Sequence, residues 1–448
     1  MTSTPDSRRV AVIGGGIAGL ASAHFLLKQG LRPVIFEAGD RLGGLGAHFE
    51  HDGVTLDRFY HVILDTDSEL CGLIAELGLA DDLVWRETGM GFHIGGRLYG
   101  FNGPIDVLRF RALSFLDRLR TGLGALYVTQ IKRNGLDLDR VYARDWLLQV
   151  FGPRIFDRIW EPLLRAKFGD RYATVPAYWV WNTLTREKNG KQEVKGYLRG
   201  TYRALSERLH QSIVAAGGEV RLNSAIDAVE TTNGGATIES RGRREDYDAA
   251  ISTLPLPLLQ RAARGLLAQR VPQADLEYQG VVNAIVVSRR RLERYYWTIV
   301  VDPQFAFQGV VETTHVLPPE WIGNRHLIYM MNYCDAASEI YARPDDLVRR
   351  QAVEGLTHLY PGFRSSDVEA VYVFRAPHVE PVWKVGYLSG RPQPRVGDTS
   401  VYISTTAQAY PRVTAWNTSV ALARETAEAL VTDLCAEAGL RPRRAAAA

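Results

Sequence analysis

An α/β architecture is what this 448-residue chain predicts, on three observations. A β-branched run, Val10 to Ile13, leads through a glycine-rich turn into an apolar helical pattern. A second such run, Pro33 to Phe36, ends on the acid Glu37, and strand signals return in the second half after a helix-rich middle. In the opening unit Gly14, Gly16 and Gly19 have GxGxxG spacing. The first allows the tight turn, and the second lets backbone N–H groups approach a pyrophosphate. The third lets helix and strand pack closely, and the helix N-terminus, with Ala18 in its first turn, faces the anion. Glu37 follows Gly19 by eighteen residues. A carboxylate there accepts hydrogen bonds from ribose hydroxyls and repels a 2′-phosphate. The spacing predicts a Rossmann-like nucleotide-binding domain.

The chain continues Glu37-Ala38-Gly39-Asp40-Arg41-Leu42-Gly43-Gly44. This ExxxRxGG run resembles the extended FAD signature of the amine oxidase, phytoene desaturase and protoporphyrinogen oxidase superfamily. The resemblance implies FAD as cofactor, with Arg41, Gly43 and Gly44 along its phosphates and ribityl chain and Ala38 beside the ribose-binding acid. It also implies a discontinuous FAD domain, 1–60, 196–270 and 395–440, interleaved with a mixed α+β substrate domain, 61–195 and 271–394, that carries a helical cap. The segment 61–195 reads mainly as helices, including 68–77, 105–128 and 145–168. Strands are expected at 218–222, at 226–229, where the backbone of Ile226 would hold the adenine, and at 247–254, 281–287, 297–301 and 400–404. A helix is expected over 419–434.

The chain departs from the family's pattern in three places. The acid that usually follows the last strand is replaced by Thr405 and Thr406, which can hydrogen-bond a phosphate or ribityl oxygen. Asn417, Thr418 and Ser419 would then cap a helix whose dipole stabilises negative charge on the flavin. Second, the lysine that amine oxidases of the superfamily hold near flavin N5 has no counterpart, and Asn283 stands at the best match. That argues against oxidation of simple amines and leaves room for C–H dehydrogenation. Third, Asp57-Arg58-Phe59-Tyr60-His61 passes where the family's chain nears the flavin, so Tyr60 or His61 is expected to move protons or orient substrate.

Arg165 and Lys167 are basic residues in an aromatic-rich insert and are candidates to clamp an anionic substrate. Tyr410, after the last strand, is a further substrate-contact candidate. Glu312, His315 and Lys384 are other polar candidates, the first two on opposite faces of one strand. Between Leu108 and Val128, leucines and phenylalanines alternate with Arg109, Arg111, Arg118 and Arg120. A core-facing helix is the ordinary account of that pattern, and peripheral membrane contact, as in monotopic protoporphyrinogen oxidases, is the other.

Composition excludes several classes. A net charge of +3 without a basic cluster excludes a nucleic-acid partner. Three scattered cysteines form neither a disulfide framework nor a metal site and suit a reducing, cytoplasmic setting. There is no signal-peptide pattern and no apolar run long enough to span a membrane; oligomeric state is not readable. The expected function is an FAD-dependent oxidoreductase that dehydrogenates a medium-sized biosynthetic intermediate by hydride transfer to flavin N5. The alternatives are a redox-neutral mutase or isomerase of an anionic sugar, and a flavin-bearing scaffold without turnover.

Overall fold

The computed structural model describes residues 8–437, apart from 133, 187–192, 274–275 and 293. A five-stranded parallel sheet is ordered Glu219–Arg221, Arg32–Phe36, Arg9–Ile13, Ala249–Ser252, Val401–Ile403, which puts the first strand of the chain at its centre. Side chains alternate across it. Val10 and Val12 pack against helices Ile17–Lys28, Thr201–Ala215 and Trp416–Glu437, while Ala11 and Ile13 meet the antiparallel strands Ile226–Thr232, Gly235–Ser240 and Arg243–Tyr247. A strand covered on both faces reads as an unbroken apolar run, which is why this one is conspicuous in the sequence.

A second sheet has seven strands in the order Val368–Val382, Glu277–Ser288, His326–Cys334, Gly309–Glu312, Trp297–Val300, Met90–Ile94, Arg97–Gly100. Helix Asp345–Leu359 covers the face bearing Ala284 and Val286. The opposite face, with Val281, Ile285, Tyr329 and Met331, packs against Phe49, Leu56, Phe59 and Tyr60.

The segment 61–195 is mainly helical as expected, but it also holds the strands Leu83–Thr88, Met90–Ile94 and Arg97–Gly100. Their partners are remote: Leu83–Thr88 pairs with Glu193–Leu198, and Met90–Ile94 with Trp297–Val300. Pairing of that kind leaves little local trace. The one legible signal is Gly95-Gly96, at φ +60° and +70°, a two-residue hairpin turn. Three expectations are corrected. The stretch 105–128 breaks into helices Pro104–Arg109 and Phe115–Leu126, the second capped by Ser114, whose hydroxyl accepts from Asp117 N at 3.2 Å. Nor does that second helix face the core with its leucines, since its buried residues are Thr121 and Gly124. The C-terminal helix starts at Trp416 rather than Ser419.

Candidate functional site

Parallel strands place their C-terminal ends along one edge, where α/β sheets bind ligands. Gly14, Glu37, Leu222, Thr253 and Ser404 directly follow the five strands there. At φ +105°, Gly14 donates to Phe36 O at 2.8 Å, and a Cβ on it would lie 2.4 Å from Thr253 Oγ1. A Cβ on Gly19 would lie 1.8 Å from the Gly14 carbonyl, so only glycine permits this approach of helix to strand. Gly43, at φ +116°, donates to Gly15 O at 2.9 Å and pairs with Gly16 as an isolated bridge. Gly44, at φ +56°, lies against the Gly16 backbone. Gly14, Gly16 and Ala18 are half-buried at this turn. A Cβ on Gly16 would meet nothing nearer than Gly44 Cα at 3.8 Å, so the space over this helix N-terminus fits a pyrophosphate.

Glu37 accepts from Gly15 N at 2.7 Å and from Gly39 N at 2.8 Å. Two backbone donors fix its carboxylate and leave lone pairs for a ribose. Ala38 beside it is exposed, and Ile226 is half-buried at the head of the antiparallel strands. Arg41 pairs with Asp40 at 3.1 Å and donates to His48 O at 3.4 Å. Arg58 donates to the same carbonyl at 3.0 Å, so two guanidinium groups converge. Burial, then the charge of Arg41, depresses the Arg58 pKa. An anion between them would relieve both effects. Arg58 is missed in the sequence because the hairpin His48–His51, Val54–Asp57 folds it back to Arg41. Ser404 is also missed, although its hydroxyl is buried without a partner at the end of the last strand. Thr405 N donates to Gln408 Oε1 at 3.0 Å, and Thr406 next to it is half-buried.

The expected helix cap is a correction. Asn417, Thr418 and Ser419 lie inside the first turn, with side chains on other partners. Asn417 Oδ1 accepts from Leu70 N at 2.9 Å, Thr418 Oγ1 donates to Val413 O at 2.7 Å and Ser419 Oγ donates to Ala415 O at 3.2 Å. The helix begins earlier because the Trp416 ring packs on Tyr202, with centroids 4.2 Å apart, and on Gly46.

The 57–61 strip is pinned from several sides. Asp57 accepts at its carboxylate from the Tyr197 hydroxyl and from Tyr202 N at 3.3 Å, and at its carbonyl from Tyr329 OH at 2.7 Å. Burial outweighs these bonds and lifts the carboxyl pKa to about 7. Asn283 is 1% exposed and donates to Arg58 O at 2.9 Å, with Oδ1 unpartnered. It holds the strip from behind, so direct contact with substrate is corrected to positioning. Tyr60 and His61 retain accessible surface although desolvation dominates both, as expected of groups lining an internal crevice. The Tyr60 hydroxyl lies 3.1 Å from that of Tyr333. His61 Nδ1–H donates to Phe59 O at 3.0 Å, and the ring lies 5.2 Å from Tyr202 and 5.3 Å from Trp416. Burial lowers its pKa to about 4, so the ring is neutral and Nε2 is its acceptor.

Lys167 extends the crevice beyond Tyr333. Its ammonium lies 3.9 Å above that ring and 2.6 Å from Glu380, which, with the phenol, outweighs burial and raises its pKa. Arg165 is corrected: Glu161 at 2.9 Å and Asp170 at 2.5 Å already hold its guanidinium. So is Tyr410, which at 1% exposure is enclosed by Tyr178, Trp383 and Tyr387 rather than open to a ligand. Glu312 and His315 are not on opposite faces, because the strand ends at Glu312 and a 3-10 turn brings the two to 3.3 Å. Lys384 pairs with Glu277 at 3.4 Å. His51, Asp52 and Glu369 cluster at metal-ligating distances, but Arg325 bonds both carboxylates, at 2.8 and 2.6 Å.

The family model described as flavin containing amine oxidoreductase matches residues 17–406, from the nucleotide helix to the turn after the last strand. The chain belongs to that family. Its members are FAD-dependent oxidoreductases, and the glycine cradle, Glu37, the Arg41–Arg58 pair and the unpartnered Ser404 hydroxyl fit FAD. The 15-cis-phytoene desaturase of Solanum lycopersicum is 26% identical over 278 residues, 56% of this chain and 47% of that protein. The chain thus spans about half the length of the curated relatives it matches. Among solved structures, a candidate protoporphyrinogen oxidase from Exiguobacterium sp. 255-15 superposes with a TM-score of 0.75 at 18% identity over 94% of this chain and 98% of that one. Reduced UDP-galactopyranose mutase gives 0.73 at 15% identity over 98% and 97%. Both show a shared fold.

Proposed function

We propose that this flavoprotein dehydrogenates a medium-sized biosynthetic intermediate, removing a hydride from a C–H bond. The observation that carries the reading is the crevice strip, in which Tyr60, His61 and Tyr333 present aromatic and hydrogen-bonding surface, while Asn283, the best sequence match to the lysine of amine-oxidising relatives, carries no charge and donates to Arg58 O. FAD supplies the hydride acceptor. Burial holds the Tyr60 phenol far above neutral pH, so it stays protonated. His61 offers Nε2 as an acceptor, and its low basicity suits it to orienting a substrate O–H or N–H rather than storing a proton. The departing proton is passed to water. Lys167 reaches that crevice already neutralised by Glu380, which favours an uncharged substrate face. Three free cysteines suit work in a reducing compartment such as the cytoplasm.

Likeness in fold to a mutase supports a second reading, redox-neutral isomerisation of an anionic sugar. The prior pairing of Arg165 and Lys167 with carboxylates weighs against it. Anaerobic mixing of the yellow holoprotein with candidate substrates separates the two. Bleaching that air reverses supports dehydrogenation, whereas turnover only after prior reduction of the flavin supports the mutase. His61→Ala is expected to slow bleaching by roughly a hundredfold while FAD stays bound, the size of a positioning loss. Unchanged kinetics would remove His61 from the reaction.

A further inference from the structure

Eleven of the thirteen strongly exposed large apolar side chains among the described residues lie between positions 105 and 142. They centre on helix Phe115–Leu126, where Leu116, Leu119, Leu123 and Leu126 recur every three or four residues and point outward, Leu116 at 74% and Leu123 at 68% exposure. Ile105 and Leu108 of the neighbouring helix Pro104–Arg109 extend the same surface, at 63% and 48%. The arrangement is inside out. What the second helix buries is Thr121 and Gly124, and a Cβ on Gly124 would come within 2.5 Å of the Phe151 ring, so the small residue faces inward and the large ones face solvent. An amphipathic helix of a water-soluble surface does the reverse, and an apolar patch of this kind marks a partner.

The charge around the patch says which partner. Arg109, Arg111 and Arg120 are exposed, and among the described residues neither they nor Arg118 form an ion pair. Arg118 and Arg120 donate to the backbone carbonyls of Leu108 and Gln149. The nearby acids are turned away: Asp106 accepts from Asn102 N at 2.9 Å, and Asp117 is held by the Ser114 hydroxyl at 2.6 Å. The result is a leucine-rich ridge with an uncompensated arginine rim. That combination lies in a bilayer interface, apolar side chains among the acyl chains and cations among anionic headgroups. A second copy of the chain suits the surface poorly, because a two-fold contact brings the same patch, and hence the same arginines, together.

We infer that this face docks the enzyme on an anionic lipid bilayer, with helix Phe115–Leu126 lying in the interfacial plane. No helix among the described residues is long and apolar enough to cross a membrane, so the contact is with one leaflet. The same insert reaches the candidate site from behind. Trp181 Nε1 donates to Lys132 O at 3.0 Å beside the docking helix, and Asn182 Nδ2 donates to Pro411 O at 3.1 Å in the loop before the C-terminal helix.

Flotation of the FAD-loaded full chain with vesicles of phosphatidylcholine alone, or mixed with phosphatidylglycerol, tests this. The enzyme is expected to float with the mixed vesicles and to be released by salt. The double variant Leu116→Glu, Leu123→Glu should partition at least roughly tenfold less, since two inserted leucines are replaced by charges. Arg109→Glu with Arg111→Glu should lose the preference for phosphatidylglycerol. All four positions are exposed, so an unchanged flavin spectrum and melting temperature show that each variant folds. Wild-type protein that stays in the soluble fraction with both vesicles overturns the inference, as does a leucine variant that floats like the wild type. A lipid-free dimer abolished by the leucine variant would assign the face to a second copy instead. Partition is read without turnover, so the result stands apart from the reaction proposed above.

Discussion

Glu37 and Arg58 hold opposite ends of one cradle. The Glu37 carboxylate is fixed by two backbone N–H groups, and Arg58 converges with Arg41 on a single carbonyl oxygen. Each would give FAD a charge-assisted hydrogen bond. Glu37→Ala and Arg58→Ala should each weaken FAD binding by about 1.5–3 kcal/mol, read as a change in Kd by flavin fluorescence. FAD retained with wild-type affinity would take the altered residue out of the site. Asp57 makes a different demand. Its carboxyl titrates near 7 in the fold against roughly 3.9 in the unfolded chain, so the native state binds the proton more tightly. The resulting stability is fully present below about pH 4 and is lost as pH rises through about 7, a span on the order of 4 kcal/mol. Asp57→Asn keeps the shape without the charge. It should therefore raise the melting temperature at pH 8 more than at pH 5, and an equal effect at both would mean that Asp57 is ionised throughout.

Helix Phe115–Leu126 carries two glycines with opposite expectations. Gly122 has open space where a Cβ would go, whereas a Cβ on Gly124 would press on the ring of Phe151, which is 2% exposed. Gly122→Ala should stabilise by about 0.5–1 kcal/mol through helix propensity. Gly124→Ala should destabilise by about 1–3 kcal/mol, because overpacking against a buried ring exceeds that gain. Urea titrations of the two variants check both signs, and equal stabilisation would show that this helix does not pack on Phe151. The element also shows the limit of pattern reading. Its apolar period is legible, but a period does not say which way the helix faces, and a core-facing account fails here because Thr121 and Gly124 take the buried side. Likewise strand alternation sets Glu312 and His315 on opposite faces, and it stops applying where the strand ends at Glu312.

At the scale of the whole molecule, the cradle gathers residues from both ends of the chain, Gly14 to Gly44 with Thr253 and Ser404. FAD should therefore stabilise the native state as a unit, by about 2.7 kcal/mol at a hundredfold excess over its Kd. Thermal melts with increasing FAD should shift upward progressively. A melting temperature indifferent to FAD would mean that the cradle does not hold it.

Local chemistry, by itself, determined the nucleotide unit. Glycine spacing, β-branched runs and the acid after the second strand are constraints acting within about thirty residues, and they predict the α/β fold and a nucleotide site, with FAD implied by the family resemblance of the ExxxRxGG run. The crevice was a matter for tertiary structure. Arg58 meets Arg41 through a hairpin, Tyr60 meets Tyr333 across 273 positions, and Lys167, on a helix, finds Glu380 on an edge strand of the seven-stranded sheet. Burial also decided what the candidates could do: it closed Tyr410 away, put Asn283 behind the strip and kept His61 neutral. Desolvation and long-range pairing depend on which surfaces the fold brings together, and no local pattern of residues encodes that.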